Sequence, residues 1–160
     1  MGDQVQIKYH PVTAAKRRAD HASENAEDYV ELIEDMEGEV GAAHITEIAK
    51  RLGVSHVTVH KTVKRLKTLG LVHSEPHRAI SLTDQGRSMA RQSRARHQVT
   101  LRFLRALGVS EAAALNDAEG IEHHVGVELL EKMNRFCDLM ETKGRVESAD
   151  LGNSPPRKPL

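Results

Sequence analysis

The sequence predicts a mainly α chain in two modules, the first carrying a small β-hairpin and the second all helical. Three observations carry that expectation. Apolar residues recur at helical spacing from Asn25 onward. Two short apolar runs flank a turn at Glu75-Pro76-His77-Arg78. Charge is also divided along the chain: residues 44–105 hold 13 Lys and Arg against 3 Asp and Glu, although the 160 residues together are neutral, with 23 of each sign. A basic module is thus joined to an acidic remainder, and a basic stripe is the usual electrostatic footprint of phosphate binding.

Residues 1–24 are polar and mixed, with a Lys16-Arg17-Arg18 cluster and no clear period, and read as a mobile N-terminal arm. Tyr29, Leu32, Ile33 and Met36 then mark a first helix over about 25–38. In "AAHITEIAKRLGVSHVTVHKTVKRLKTLGLV", Ile45, Ile48, Ala49 and Leu52 form one apolar stripe, Gly53 permits a tight turn, and Ser55 is suited to cap a second helix. In that helix Val59, Val63 and Leu66 face inward, leaving His56, Thr58, His60, Lys61, Lys64 and Arg65 mostly outward. Two short strands after Gly70 add a hairpin wing, which makes residues 25–83 a winged helix-turn-helix. Thr83 is placed to cap a long basic helix ending at Gly108, and Ser110 a short Ala-rich one. A last amphipathic helix puts Leu130, Met133, Cys137 and Met140 on one side. Residues 84–143 therefore read as a second, helical domain, and 144–160 as a disordered tail.

Several function classes are disfavoured by composition. Two Phe, two Tyr and no Trp leave too few rings for a base-stacking platform on single strands. Cys137 is the single cysteine, so neither an intrachain disulfide nor a thiolate metal cluster can form. The N-terminus lacks the apolar core of a secretory signal, and no run approaches the ~18 apolar residues of a membrane span. A cytoplasmic protein with no membrane partner is expected. No nucleophile stands beside a base in a recognisable pattern, and the paired Glu-x-x-His spacing of di-metal bundle oxidases is absent, so catalysis and a small organic substrate are not expected.

A helix-turn-helix lays its second helix in the major groove, where base edges display a readable donor and acceptor code. Lys61 is placed to reach a guanine edge or a phosphate, and Thr58, His60 and Lys64 to donate to phosphates. Ser55 and Val57 stand at the start of the same helix, and Arg78 at the hairpin tip faces an adjacent backbone or the minor groove. Outward lysines alone are ordinary on a helical pair. The wing and the charge bias are what turn them into a double-stranded DNA footprint.

The acidic half carries a different chemistry. In "NDAEGIEHHV", Glu119, Glu122 and His123 are at i, i+3, i+4, on one side of a helix, and Asp28 and Glu31 share a side of the first helix. His97 lies in the long connecting helix. Four carboxylates and two imidazoles suit Mn(II) or Fe(II), and six such side chains are enough for two adjacent ions bridged by a carboxylate.

"EDYVELI" followed by the winged helix, then "RHQVTLRFLRALGVS" and "NDAEGIEHHV", resembles the diphtheria-toxin-repressor family of metal-dependent transcription regulators, in its manganese transport regulator branch, over residues 25–143. The resemblance implies a homodimeric repressor that binds operator DNA when Mn(II) is plentiful and controls manganese uptake genes, with 84–143 as its dimerisation and metal-binding domain and Leu101, Leu104 and Leu107 of the connecting helix, together with the last helix, as expected dimer contacts. The family's ligand positions fall on Asp28, Glu31, His97, Glu119, Glu122 and His123. Oxygen ligands at Asp28 and Glu119, where iron-sensing relatives place Met and Cys, favour manganese. Val57 stands where relatives often carry proline, and Ala79 follows a wing turn that often contains glycine. The chain ends before the SH3-like third domain of the larger iron sensors. An iron-responsive regulator and a metal-independent winged-helix regulator are the alternatives.

Overall fold

The computed structural model describes residues 14–152. The chain divides into two compact units at Arg87 and Ser88. The first holds α1 (Ala14–Val40), α2 (Ile45–Leu52), α3 (His56–Thr68), β1 (Val72–His73) and β2 (Ser81–Leu82). Helix α4 (Asp84–Ala106) starts in the first unit and continues into the second, which also holds α5 (Glu111–Glu122) and α6 (Val127–Gly152).

In the first unit the inward rows are those the periodicity marks. Ile48 and Ala49 of α2, Val59, Val63 and Leu66 of α3, and Leu71, Val72, Ile80 and Leu82 of the wing are all buried. Between α2 and α3, Gly53 adopts φ 65° and donates its N–H to the carbonyls of Ala49 and Lys50, which closes α2. Ser55 Oγ accepts from Thr58 N at 3.1 Å and opens α3. The strands pair antiparallel, Val72 with Leu82 and His73 with Ser81, and Ile80 N donates to Ala43 O at 2.7 Å beside them. The wing turn puts its positive φ, 61°, on His77 rather than on a glycine, and Arg78 N donates to Glu75 O at 3.2 Å across it.

Helix α1 begins eleven residues before the expected start at 25, so 14–24, read as part of a mobile arm, is helical. No apolar row marks that stretch, but Ala14, Ala15, Lys16, Arg17, Arg18, Ala19 and Ala22 are good helix formers, and a helix already nucleated by packing at Ala26–Met36 propagates through them. Residues 144–152, expected as tail, likewise continue α6. The remainder of the arm and tail, 1–13 and 153–160, lies outside the described residues.

Thr83 caps α4 as its type predicts: its Oγ1 accepts from Gly86 N at 3.0 Å and donates to Gly70 O at 2.6 Å. Ser110 stands at the start of α5 without a side-chain cap bond. In the second unit Leu104, Ala114 and Ala118 are buried together, with Leu101, Val109 and Ile121 packed against them. Of the expected dimer contacts, Leu104 is buried in this cluster, Leu101 packs against it partly buried, and Leu107 is exposed. Helix α6 is fastened to α4 by an edge-to-face Phe103–Phe136 pair, centroids 5.5 Å apart. Beside it the Arg102 guanidinium donates to Glu141, Asn134 and Asp138 at 2.7, 2.9 and 2.7 Å.

Candidate nucleic-acid interface and metal-ligating residues

Helix α3 advances about 100° per residue, so burial of Val59, Val63 and Leu66 fixes what its other faces present. Val57, Lys61, Lys64 and Thr68 lie opposite the buried row and are exposed. His60 and Lys67 project toward the wing, and Thr58 and Arg65 toward the other flank. The seven residues expected to meet DNA therefore separate by task. Lys61 and Lys64 form the outward basic stripe, with Val57, 62% exposed, as an apolar contact beside them. Ser55 and Thr58 are exposed but spend their hydroxyls on the cap, Oγ to Oγ1 at 2.9 Å, so their first contribution is to hold the helix start.

His60 and Arg78 line a cleft of about 790 Å³ between α3 and the wing, together with His44, Lys61, Lys64, Lys67 and His77. Lys67 Nζ donates to Ser74 O at 2.7 Å and ties the wing to the helix. Glu75 also lines the cleft, at 3.1 Å from Arg78 Nε. Cationic and imidazole donors on both walls suit a polyanionic strand. Sequence reasoning left out His44, Lys67 and His77. Lys67 was signalled by its i+3 spacing from Lys64, whereas His44 and His77 come from separate segments and only folding brings them here.

Of the six candidate metal ligands, Asp28 and Glu31 lie on α1 in the first unit, exposed and half-buried. The other four lie in the second unit, joined by close approaches through His97 and Glu122. His97 Nδ1 is hydrogen-bonded to Glu122 Oε2 and is 3.7 Å from Glu119 Oε1. His123, just past the end of α5, places Nε2 3.7 Å from Glu122 Oε1. Among the described residues no group of three or more His, Cys, Asp or Glu stands ready to hold a metal ion as placed. The chemistry of the donors nevertheless fits a divalent cation. Glu122 is buried, at 4% exposure, and burial pushes its carboxyl above the ordinary carboxylate range, the His97 hydrogen bond opposing that and Glu119 adding to it. A buried carboxylate with imidazole partners and a second carboxylate nearby is stabilised as the anion by added positive charge.

Two family models match the chain: the iron dependent repressor N-terminal DNA binding domain over residues 21–80, and the iron dependent repressor metal binding and dimerisation domain over 83–147. The chain belongs to the iron-dependent repressor family. Relatives agree. A transcriptional regulator named MntR from Escherichia coli O6:H1 is 46% identical over 82% of this chain and 85% of its own length. Another of that name from Escherichia coli O157:H7 is 49% identical over 74% and 77%. Among solved structures, a manganese-dependent transcriptional repressor in complex with manganese superposes with a TM-score of 0.62 at 29% identity, covering 71% of this chain. The chain spans about half the length of that structure, 52%.

Membership in the iron-dependent repressor family makes this chain a DNA-binding transcription regulator, with a metal-binding and dimerisation domain, and not an enzyme. The winged helix-turn-helix and the all-helical second domain are the two matched domains. No helix among the described residues is long and apolar enough to cross a membrane.

Proposed function

We propose that this chain is a manganese-responsive, cytoplasmic repressor that binds palindromic operator DNA as a homodimer and controls manganese uptake genes. The observation that carries the metal reading is the buried Glu122 carboxyl hydrogen-bonded to His97, with Glu119 beside it. The relatives named MntR and the manganese-bound structural neighbour support manganese as the metal.

The ligands are proposed to be Asp28, Glu31, His97, Glu119, Glu122 and His123, enough for two ions per subunit; Fe(II) offers similar ligand chemistry. A divalent cation, when bound, supplies positive charge that offsets the mutual repulsion of four carboxylates. Asp28 and Glu31 belong to the DNA-binding module, and the other four to the helical module. Holding all six together restricts how far apart the two recognition helices of a dimer can stand. Half-sites one DNA turn apart require a separation of about 34 Å, so a restricted dimer is the better binder. A coupling of about 1–3 kcal/mol changes operator affinity about 5- to 150-fold, and by reciprocity operator DNA tightens metal binding equally.

The test is selection of bound duplexes from a random pool at fixed salt with Mn(II), Fe(II), Zn(II) or chelator. Enrichment of a palindrome with Mn(II) and not with chelator is expected. Equal enrichment under chelator, or a Glu119→Ala chain with unchanged response, would remove the metal switch and leave the DNA-binding module standing.

A further inference from the structure

Three histidines from three separate segments line the cleft between α3 and the wing: His44 just before α2, His60 on α3, and His77 in the wing turn. All three are exposed, and none of their imidazoles has a hydrogen bond or ion pair among the described residues. The local fold gives no reason for them. At His77 the fold argues against one, because its φ of 61° is the single positive value outside glycine among the described residues. Glycine holds such a turn without strain, and a bulkier residue kept there points to a use for its side chain.

The charged groups around the imidazoles come from every element that borders the cleft. Lys67 is tied to Ser74 O at 2.7 Å, and Arg78 to Glu75 at 3.1 Å, the one acid among the described lining residues. Lys61 and Lys64 stand exposed beside His60. Glu47, one turn on from His44, lies 3.5 Å from Arg51 and outside the lining. His56 and His73, on α3 and β1, are also outside it. Four cations against one acid leave the lining at +3, and three charged imidazoles bring it to +6. Imidazole is the side chain whose charge ordinarily changes between pH 5 and 8, whereas ammonium, guanidinium and carboxylate groups keep theirs over that range. A phosphate strand laid in the cleft favours the charged form of an imidazole beside it.

We propose that His44, His60 and His77 hold the operator's phosphate backbone as imidazolium ions, so that DNA binding takes up protons and the cleft grips more tightly as pH falls through the neutral range. The complex holds these protons better than the free chain does, so their contribution is present at the acid side and lost as pH rises. The inference rests on the DNA-binding assignment and is independent of which metal is sensed.

The experiment measures affinity of the full chain for the palindromic duplex recovered by selection, against salt, at pH 6 and pH 8, with Mn(II) saturating at each pH. Wild type and variants share the same metal ligands, so the difference between them reads the cleft alone. An uptake of half to one proton per dimer corresponds to a rise of about 10- to 100-fold from pH 8 to pH 6 relative to a variant without the imidazoles. Each imidazolium paired with a phosphate adds about 0.9 to the slope of log affinity on log salt, so the wild-type slope is expected to steepen by about 1–3 at pH 6. His44→Gln/His60→Gln/His77→Asn, with Asn suited to the positive φ, is expected to lose both the rise and the steepening. His44→Lys/His60→Lys carries its cations at every pH, and is expected to bind more tightly than wild type at pH 8 and to respond less to pH. Tighter binding cannot come from a fold that has been damaged. A wild-type pH response in the Gln and Asn variant, or a Lys variant no tighter than wild type at pH 8, overturns the proposal. A wild type whose affinity ignores salt at both pH values would instead overturn the DNA-binding reading beneath it.

Discussion

Gly86→Ala sets two physical effects of opposite sign against each other in the first unit. Gly86 is the third residue of α4, where alanine ordinarily stabilises a helix by about 1 kcal/mol relative to glycine. Here a Cβ would lie 2.1 Å from the carbonyl oxygen of Leu71 and 3.2 Å from Leu82 Cδ2. Side-chain carbons essentially never come within 3.0 Å of such an atom, so the backbone at Leu71 must retreat by about 1 Å. That carbonyl accepts from Thr83 N at 3.0 Å, and Leu71 is 1% exposed, so the retreat strains a buried hydrogen bond and a packed side chain together. Overpacking costs about 1–3 kcal/mol, and an unsatisfied buried group about 1–3 kcal/mol. The clash wins over propensity, for a net loss of about 1–5 kcal/mol. Urea denaturation of the full chain, followed by far-UV circular dichroism, reads the difference directly. A midpoint unchanged or raised would refute the close approach and leave helix propensity as the governing effect.

Other substitutions probe the site, the wing and the second unit. Glu122→Gln keeps the size of a buried side chain and removes the charge that burial disfavours; in chelator its melting temperature should equal or exceed wild type, while the Mn(II)-dependent gain in operator affinity, put at about 5- to 150-fold, should fall away. A lower chelated melting temperature with an intact metal response would contradict both halves. His77 sits at φ 61°, a conformation that β-branched residues reach only at about 1–3 kcal/mol, so His77→Val should destabilise the wing where His77→Gly does not. Hydrogen exchange at Arg78 N, which closes the turn, is the readout. Arg105, at 2.9 Å through Nε, holds the Glu111 carboxyl below its usual range. Its contribution is present above the ordinary carboxylate range and lost as pH falls through the lowered value, so acid titration of Arg105→Met should lack a small, salt-sensitive part of the wild-type stability loss.

Local sequence determined much of this molecule. Ser55, Thr83 and Gly53 act through neighbours within four residues, so type and position were enough to read the cap of α3, the cap of α4 and the turn between α2 and α3. The inward rows of α2 and α3 follow from helical period alone, and with the charge division they made the DNA-binding module legible. Burial and close approach between distant segments were decided only by tertiary structure. Glu119 and Glu122 share a helix side three residues apart, yet their side chains are 69% and 5% exposed, because the packing of α5 against its surroundings buries one and spares the other. Leu104 fills its own subunit's core because Ala114 and Ala118 of α5 are small enough to close over it. Gly86 reads as a poor helix residue until Leu71, fifteen positions earlier, is found against it. A period of 3.6 residues reports which side a residue faces; what stands on that side depends on chain folded back from elsewhere.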